Sequence, residues 1–312
     1  MSFEIFKQQF GDLTEYVIHD TTTENRCVII PELGGIVRQL SLRKGLTLFS
    51  LLKTPATPAA LLADTKSASE LLFPFASRIP EGKYKFLGKN YELDKNEDGG
   101  LNAIHGLVRK NHFHLDEQAI HADHAYIQLS YTIDNAKGYP FLVHFSVRYT
   151  LHADGRFEVK YEAKNNGQAP APAMFGWHPY WMLGNEDVEA WKINIPSKRL
   201  VTFNENLIPV GTEPFEMAMP ALLHRREFDN CFIVDAGPYA TTELISKNQD
   251  VTLRIEQETE KFKYLVVYTP PARDCVAIEP LTANVDSFNT GEGLQILAPG
   301  HSIDGTITVR LV

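Results

Sequence analysis

The 312-residue sequence predicts an all-β protein built as one large antiparallel sandwich. Apolar residues recur at every second position over much of the chain, which is the period of a strand with one buried face. Glycine and proline, 20 and 18 residues respectively, separate these alternating runs. An Asp-Gly pair between two such runs is the signal for a tight hairpin. Together these observations favour packed sheets over helices.

The hairpin signal lies in the middle of the chain. Residues 143–151 read Val-His-Phe-Ser-Val-Arg-Tyr-Thr-Leu, and the alternation resumes over residues 157–163. Asp154 and Gly155 stand between the two runs, and both residue types tolerate a positive φ. The same period predicts further strands at residues 126–133, 251–255, 263–268 and 303–311. The one stretch with helical character is weak and covers residues 56–72.

No linker divides the chain into parts. The best candidate, residues 165–172, contains Asn-Asn-Gly and two prolines, but it is short and lies between two predicted strands. We therefore expect a single domain over residues 1–312. No repeat of 20–50 residues is visible, which argues against a propeller or a solenoid.

Composition excludes several classes of function. The net charge of −9 and the absence of a basic cluster argue against nucleic-acid binding. Three scattered cysteines argue against a disulfide framework and indicate a reducing compartment. Residues 1–13 lack the apolar core of a secretory signal, and no run of about 18 apolar residues could span a bilayer. We expect a cytoplasmic monomer or homodimer with no membrane partner.

Two segments carry a candidate side chain in a loop-like context. Arg78 stands in the apolar, proline-bounded stretch of residues 73–82, where a guanidinium could donate fixed hydrogen bonds in a cleft. The alternative is a surface cation with a packed stem. His105 precedes Gly106 and follows a flexible Asp-Gly-Gly sequence. From this segment alone, a satisfied structural histidine is the favoured interpretation of His105.

A third segment, residues 175–181, reads Phe-Gly-Trp-His-Pro-Tyr-Trp. Aromatic faces suit the apolar C–H faces of sugars, which makes Trp177 a candidate binding residue. The imidazole of His178 can titrate near neutral pH. A buried structural histidine is the alternative reading of this segment.

Two carboxylates border apolar strands. Cys275, Ala277 and Glu279 share one face of a predicted strand, and Glu279 ends that strand before a proline. Burial would raise the pKa of this carboxyl and make it a better base. Asp229 opens another apolar strand, where it could accept hydrogen bonds from ligand hydroxyls or cap a turn.

Metal and cofactor chemistry have little support. His112 and His114 would share one strand face, but no third ligand follows at a usual spacing, and His121 and His124 flank acidic, turn-like sequence. The phosphate-binding loop, dinucleotide, serine-hydrolase and Cys-x-x-Cys motifs are absent. We therefore expect neither a metal nor a cofactor.

The order of these segments, from Pro-Phe-Ala-Ser-Arg78-Ile through His105-Gly and His178-Pro to Asp229-Asn-Cys-Phe and Val-Ala-Ile-Glu279-Pro, resembles the aldose 1-epimerase (galactose mutarotase-like) family. The resemblance covers nearly the whole chain, from about residue 16 to residue 311. It implies a single β-supersandwich with a cleft that holds a pyranose.

The resemblance also implies a role for each residue. Glu279 corresponds to the general base and His178 to the general acid, without a metal or cofactor. His105 corresponds to a second histidine beside the ring oxygen, and Arg78 and Asp229 correspond to residues that bind sugar hydroxyls. The partner implied is a small monosaccharide.

The sequence departs from the family pattern in places that leave the substrate open. Many members have asparagine before the arginine and a second glycine after His-Gly, where this chain has Ser77 and Leu107. Arg109 and Lys110 follow, as in the branch of sugar-phosphate 1-epimerases, whose basic residues near this loop hold phosphate. A free hexose such as glucose or galactose is the favoured substrate, and Arg109 is the candidate phosphate or polar contact.

Three alternatives to a free-hexose epimerase remain. A hexose-6-phosphate 1-epimerase is the first, and a non-catalytic sugar-binding protein on the same fold is the second. A glycosidase needs two carboxylates that flank the bond, and Glu279 with Asp229 could form such a pair. That last reading leaves His178 without a role.

Overall fold

The computed structural model describes residues 2–234 and 237–312. In these residues the chain forms 28 strands and two short α-helices, with single 3₁₀ turns at Pro31–Leu33 and Val188–Ala190. The elements are β1 (Phe3–Phe10), β2 (Leu13–Asp20), β3 (Arg26–Ile30), β4 (Ile36–Lys44), β5 (Thr47–Ser50), α1 (Pro58–Leu62), β6 (Glu70–Leu72), β7 (Arg78–Pro80), β8 (Lys83–Phe86), β9 (Lys89–Glu92), β10 (Asn102–Ile104), β11 (His114–Ile120), β12 (His124–Ile133), β13 (Val143–His152), β14 (Phe157–Asn165), β15 (Ala171–Ala173), β16 (Gly176–His178), β17 (Tyr180–Trp181), β18 (Trp191–Asn194), β19 (Ser197–Phe203), β20 (Pro209–Pro214), β21 (Ala221–Leu222), β22 (Asp229–Val234), β23 (Tyr239–Ser246), β24 (Val251–Glu258), β25 (Tyr264–Tyr268), β26 (Val276–Leu281), α2 (Ser287–Thr290), β27 (Gln295–Leu297) and β28 (Ser302–Leu311).

Three large antiparallel sheets account for most strands of the described residues. The first has nine strands in the order β11-β12-β13-β14-β28-β24-β23-β18-β21. The second has eight, in the order β20-β19-β22-β25-β26-β16-β6, with β17 also paired to β26. The third is β1 to β5 in sequence order, and three two-stranded ribbons complete the pairing: β7 with β10, β8 with β9, and β15 with β27.

The nine-stranded and eight-stranded sheets pack face to face around one apolar core. Every second residue of β14 is fully buried from Phe157 to Tyr161. The ring of Tyr161 stacks on Phe175, next to β16, with the ring centroids 4.2 Å apart, and Phe157 lies 6.5 Å from Trp177 of β16. These contacts join the two inner faces as in a β-sandwich, which confirms the predicted fold class.

The predicted hairpin and strands are confirmed. β13 and β14 pair from Val143↔Asn165 to Leu151↔Phe157. Gly155 has a φ of 83° in the connecting turn. The prediction of a helix over residues 56–72 is wrong for most of its length. Only Pro58–Leu62 is helical, because Ser67 and Ser69 adopt left-handed backbone conformations and residues 70–72 join the sheet as β6.

The eight-stranded sheet positions the site, because its two faces differ. Val276 and Ile278 of β26 belong to the main core, whereas Ala277 packs with Tyr180 and Cys275 in a small separate cluster. The alternation predicted for this strand is therefore present. One face of the sheet closes the sandwich, and the other carries a cleft.

Candidate active site

A cleft of about 690 Å³ opens on this second face of the eight-stranded sheet. The sheet supplies its floor through β16, β22, β25 and β26, and loops after α1, β9 and β10 supply its walls. Six of the seven residues that the sequence singled out line it: Arg78, His105, Arg109, His178, Asp229 and Glu279. Residues far apart in the chain thus meet in one place.

Glu279 lies on the cleft floor, on strand β26. It is only 4% exposed, and its Oε1 lies 3.3 Å from Nε2 of His178. Burial raises the pKa of Glu279 well above its ordinary value; the negative charge of Asp229 adds to this shift and Arg78 opposes it. The raised pKa makes the carboxylate form of Glu279 a stronger base than an exposed glutamate.

His178 is 7% exposed, and burial lowers the pKa of its imidazole to about 4. Its backbone carbonyl accepts a hydrogen bond from the Ser69 amide, and β16 is paired with both β6 and β26, which fixes the backbone at this residue. Nδ1 is buried and has no hydrogen-bond partner among the residues that the structure describes. The two pKa shifts both favour the uncharged forms of the pair, a protonated carboxyl and a neutral imidazole.

His105 stands beside this pair in a left-handed conformation, with a φ of 62°. Its amide donates to the carbonyl of Ser77, and the Ser77 amide donates to Nδ1 at 3.3 Å. Nδ1 is therefore an acceptor, which leaves the proton of the neutral ring on Nε2. Gly106 is required next to it, because a Cβ there would lie 2.3 Å from the carbonyl oxygen of Phe73.

The pKa of His105 is well below its ordinary value, mainly because of burial and secondarily because of the nearby His178. The two rings meet edge to face, with centroids 5.3 Å apart. His105 is therefore a neutral hydrogen-bond donor next to the His178–Glu279 pair.

Arg78 and Asp229 provide opposite charges in the cleft. The Nε of Arg78, at the start of β7, donates to Oε1 of Glu97 at 2.6 Å. Loss of hydration raises the pKa of Asp229, and the charge of Arg78 opposes that shift. The guanidinium thus acts electrostatically on both Asp229 and Glu279.

Trp177 is the one predicted site residue that does not line the cleft. It is fully buried, packs at 5.4 Å against the Trp181 ring and donates from Nε1 to the Ser69 hydroxyl at 3.4 Å. Because neighbouring residues of a strand face opposite sides, a histidine in the cleft puts this tryptophan in the core. The prediction of a sugar contact by Trp177 therefore fails on geometry, and the rings that do line the cleft are Tyr180 and Tyr268.

Arg109 is engaged by a second buried carboxylate. Its Nη1 lies 2.8 Å from the Ser67 hydroxyl and 3.2 Å from Oε2 of Glu70, and the side chains of Arg109 and Glu70 are 14% and 8% exposed. Burial raises the pKa of Glu70, and Arg109 opposes that shift. The arginine is therefore a largely buried, paired cation on the cleft wall and not a surface cation.

Sequence reasoning missed several residues of the cleft walls. They are Thr65, Lys66, Ser67, Asn96, Glu97, Asp98, Tyr180 and Tyr268. The Asp-Gly-Gly sequence before His105 marked a turn, but it did not show that Glu97 folds back onto Arg78. The period of two would have revealed that Tyr180 shares the face of His178.

The histidines of residues 112–124 do not come together as a metal site. Within residues 2–234 and 237–312, no group of three or more His, Cys, Asp or Glu side chains could hold a metal ion. His114 contacts Asp116, and His124 contacts Asp123.

No helix among the described residues is long and apolar enough to cross a membrane.

The chain matches the aldose 1-epimerase family over residues 16–310. Two curated Escherichia coli K12 proteins are similar to it. The uncharacterized protein YihR is 24% identical over 245 residues, which cover 74% of this chain and 75% of YihR. The uncharacterized protein YphB is 23% identical over 261 residues, which cover 77% and 82%.

Solved structures show the same fold. A galactose mutarotase-like protein from Clostridium acetobutylicum superposes with a TM-score of 0.87 at 18% identity, covering 100% of this chain and 99% of that one. A galactose 1-epimerase from Lactobacillus acidophilus gives a TM-score of 0.81 at 16% identity, covering 99% and 98%. Because the match to the family covers residues 16–310 of this chain, the chain belongs to the aldose 1-epimerase family.

Proposed function

We propose that this protein is an aldose 1-epimerase that interconverts the α and β anomers of a free hexose such as glucose or galactose. The observation that carries the proposal is the buried contact of 3.3 Å between His178 Nε2 and Glu279 Oε1 on the cleft floor. Glu279 is the general base, and His178 is the general acid. Membership of the family supports an isomerase, and the site geometry supports this pair.

The reaction needs one proton removed and one proton delivered. Glu279 takes the proton of the anomeric hydroxyl as the C1–O5 bond breaks, and His178 gives a proton to the ring oxygen. The product is the open-chain aldehyde, whose C1 end rotates before the steps reverse on the other face. Because both oxygens are bonded to C1, the base and the acid must lie close together, as these two do. Acid–base catalysis of this kind contributes about 10²–10⁴-fold.

The pair needs its proton on the imidazole before the sugar reacts. In the resting site that proton favours the carboxyl of Glu279, and the short contact gives it a direct path to Nε2 of His178. The positive charge of Arg78 favours the carboxylate form of Glu279. Sugar hydroxyls bound to the carboxylate would favour it further.

The remaining cleft residues bind the sugar. We assign His105 Nε2–H and the guanidinium of Arg78 as donors to sugar oxygens, and Asp229 as an acceptor from sugar hydroxyls. Tyr268, which is partly exposed in the cleft, offers its ring to a C–H face. Two donors and one acceptor around an acid–base pair suit a neutral polyol.

We propose that no cofactor takes part, because side chains of this chain serve both proton transfers.

We also propose that one domain carries the whole site, since the residues that line the cleft extend from Thr65 to Glu279. The cysteines are free and buried, as expected for a protein of a reducing compartment such as the cytoplasm.

The pH dependence of kcat/KM should be bell-shaped. Activity needs one proton on the His178–Glu279 pair. The pKa of His178 is about 4. Below this pH the imidazole is protonated as well as the carboxyl, so the pair holds two protons and no base remains. Above the raised pKa of Glu279, neither residue of the pair holds the proton, so no acid remains to protonate the ring oxygen. Polarimetry from about pH 3 to about pH 10, with the spontaneous rate subtracted, checks this; a profile without an acidic limb would contradict the pair.

Polarimetry with three sugars tests the proposed activity. Purified protein is mixed with α-D-glucose, α-D-galactose or glucose 6-phosphate, and the approach to anomeric equilibrium is followed. We expect acceleration with at least one free hexose. A preference above about tenfold for the phosphate would favour the second candidate, a hexose-6-phosphate 1-epimerase.

The observation behind that second candidate is the cluster of Lys66, Arg109 and Lys110 along one wall of the cleft. The charge of Arg109 is already matched by Glu70, which favours the free hexose. Binding of a sugar without any acceleration would instead indicate a non-catalytic sugar-binding protein.

A further inference from the structure

The loop between β9 and β10 holds Arg78 through a carboxylate to which the sequence assigned no role. Oε1 of Glu97 accepts from Nε of Arg78 at 2.6 Å, and Oε2 accepts from Nδ2 of Asn102 at 2.5 Å. The Arg78 and Glu97 side chains are 23% and 16% exposed. Each oxygen of Glu97 therefore accepts from a protein donor, and one of these donors is the guanidinium of Arg78.

The loop itself is tied down at several points. Oδ1 of Asn96 accepts from the Ile104 amide at 2.7 Å, and its Nδ2 donates to the Ile104 carbonyl at 3.1 Å. The amides of Asn96 and Glu97 both donate to the carbonyl of Asn102. Ile104 is in turn the strand partner of Arg78 in the β7–β10 ribbon. Guanidinium and carboxylate thus lie on one rigid frame.

The bond to Glu97 uses one of the five N–H donors of the guanidinium. Nε is occupied by Glu97, whereas in the described part of the chain neither Nη group of Arg78 has a hydrogen bond to protein. The planar guanidinium keeps its remaining N–H donors for the cleft in a fixed orientation. Two carboxylates that face this charge, Asp229 and Glu279, belong to the proposed sugar site.

We infer that Glu97 is a positioning residue that aims Arg78 at the sugar and keeps it from pairing with Asp229 or Glu279. Without Glu97, the guanidinium would turn toward Asp229, because that carboxylate already lies within electrostatic reach of its charge. Asp229 would then be unavailable to sugar hydroxyls. The inference rests on the proposed function, and it adds a determinant of sugar affinity.

The test compares Glu97→Ala in two backgrounds, with mutarotation kinetics for the best free hexose. In the wild-type background we expect KM to rise about tenfold while kcat changes by less than about threefold. A tenfold rise in KM corresponds to the loss of one charge-assisted hydrogen bond. In an Arg78→Ala background, the same change should alter KM less than about twofold. Glu97→Asp should recover part of the affinity.

Glu81→Gln is the matched control. Glu81 directly follows β7 and pairs with Lys83 in solvent, so its replacement should leave KM unchanged. Thermal unfolding of every variant separates a folding defect from a positioning effect. An unchanged KM in Glu97→Ala, or an equal rise in both backgrounds, would overturn the inference. Wild-type turnover distinguishes the two failures: an inactive wild type refutes the proposed function and this inference with it, whereas an active wild type isolates the role of Glu97.

Discussion

Replacing Glu279 with glutamine should lower kcat for mutarotation by about 10²–10⁴-fold while sugar affinity stays within about tenfold. The amide keeps the shape of the side chain and can still bond to His178, but it cannot take the anomeric proton. Stopped polarimetric assays of kcat, together with calorimetric titration of the sugar, separate the two quantities. Retention of more than about a tenth of the wild-type kcat would show that Glu279 is not the base.

The folded state should tolerate this change. Burial already raises the pKa of Glu279, so a neutral side chain suits the site. Glu162→Gln is the control, because Glu162 is an exposed carboxylate on β14, in the nine-stranded sheet. Equal melting temperatures with a loss of kcat only in Glu279→Gln would assign the loss to chemistry.

Local periodicity in the sequence predicted the parts of the fold that depend on one strand at a time. The alternation of β13 and β14 located the sandwich core, and the alternation of β26 put Glu279 opposite Val276 and Ile278. The same rule applied to β16 would have placed Trp177 in the core. The error came from treating aromatic composition as a binding signal without the strand period.

The partners of the two arginines could not be predicted in this way. Arg78 and Glu97 are separated by 19 residues, and Arg109 and Glu70 by 39. Each contact depends on how a loop returns to a sheet, and no repeat or spacing encodes that path. Glu70 also lies on a buried strand, where its pairing with Arg109 offsets part of the cost of burying the carboxylate.

Arg109→Ala should lower the free energy of unfolding by about 3–5 kcal/mol at neutral pH, because it leaves the carboxylate of Glu70 buried without its partner. The pKa of Glu70, which burial already raises, would rise further. A group whose folded-state pKa exceeds its unfolded value destabilises the fold as pH rises above the unfolded value. The defect should therefore be small near pH 4 and full at neutral pH, as measured by urea unfolding at both pH values.

A second change on the same pair separates stability from substrate choice. In Arg109→Ala/Glu70→Gln no charge is left unpaired, so most of the lost stability should return. Compared with Glu70→Gln alone, this double variant should change KM for glucose or galactose by less than about threefold if the substrate is a free hexose. If phosphate is the natural handle, KM for glucose 6-phosphate should rise about 10–150-fold instead, because a charge-assisted bond to the guanidinium is lost. Since the charge of Arg109 is already matched by Glu70, the smaller effect is the one that we expect.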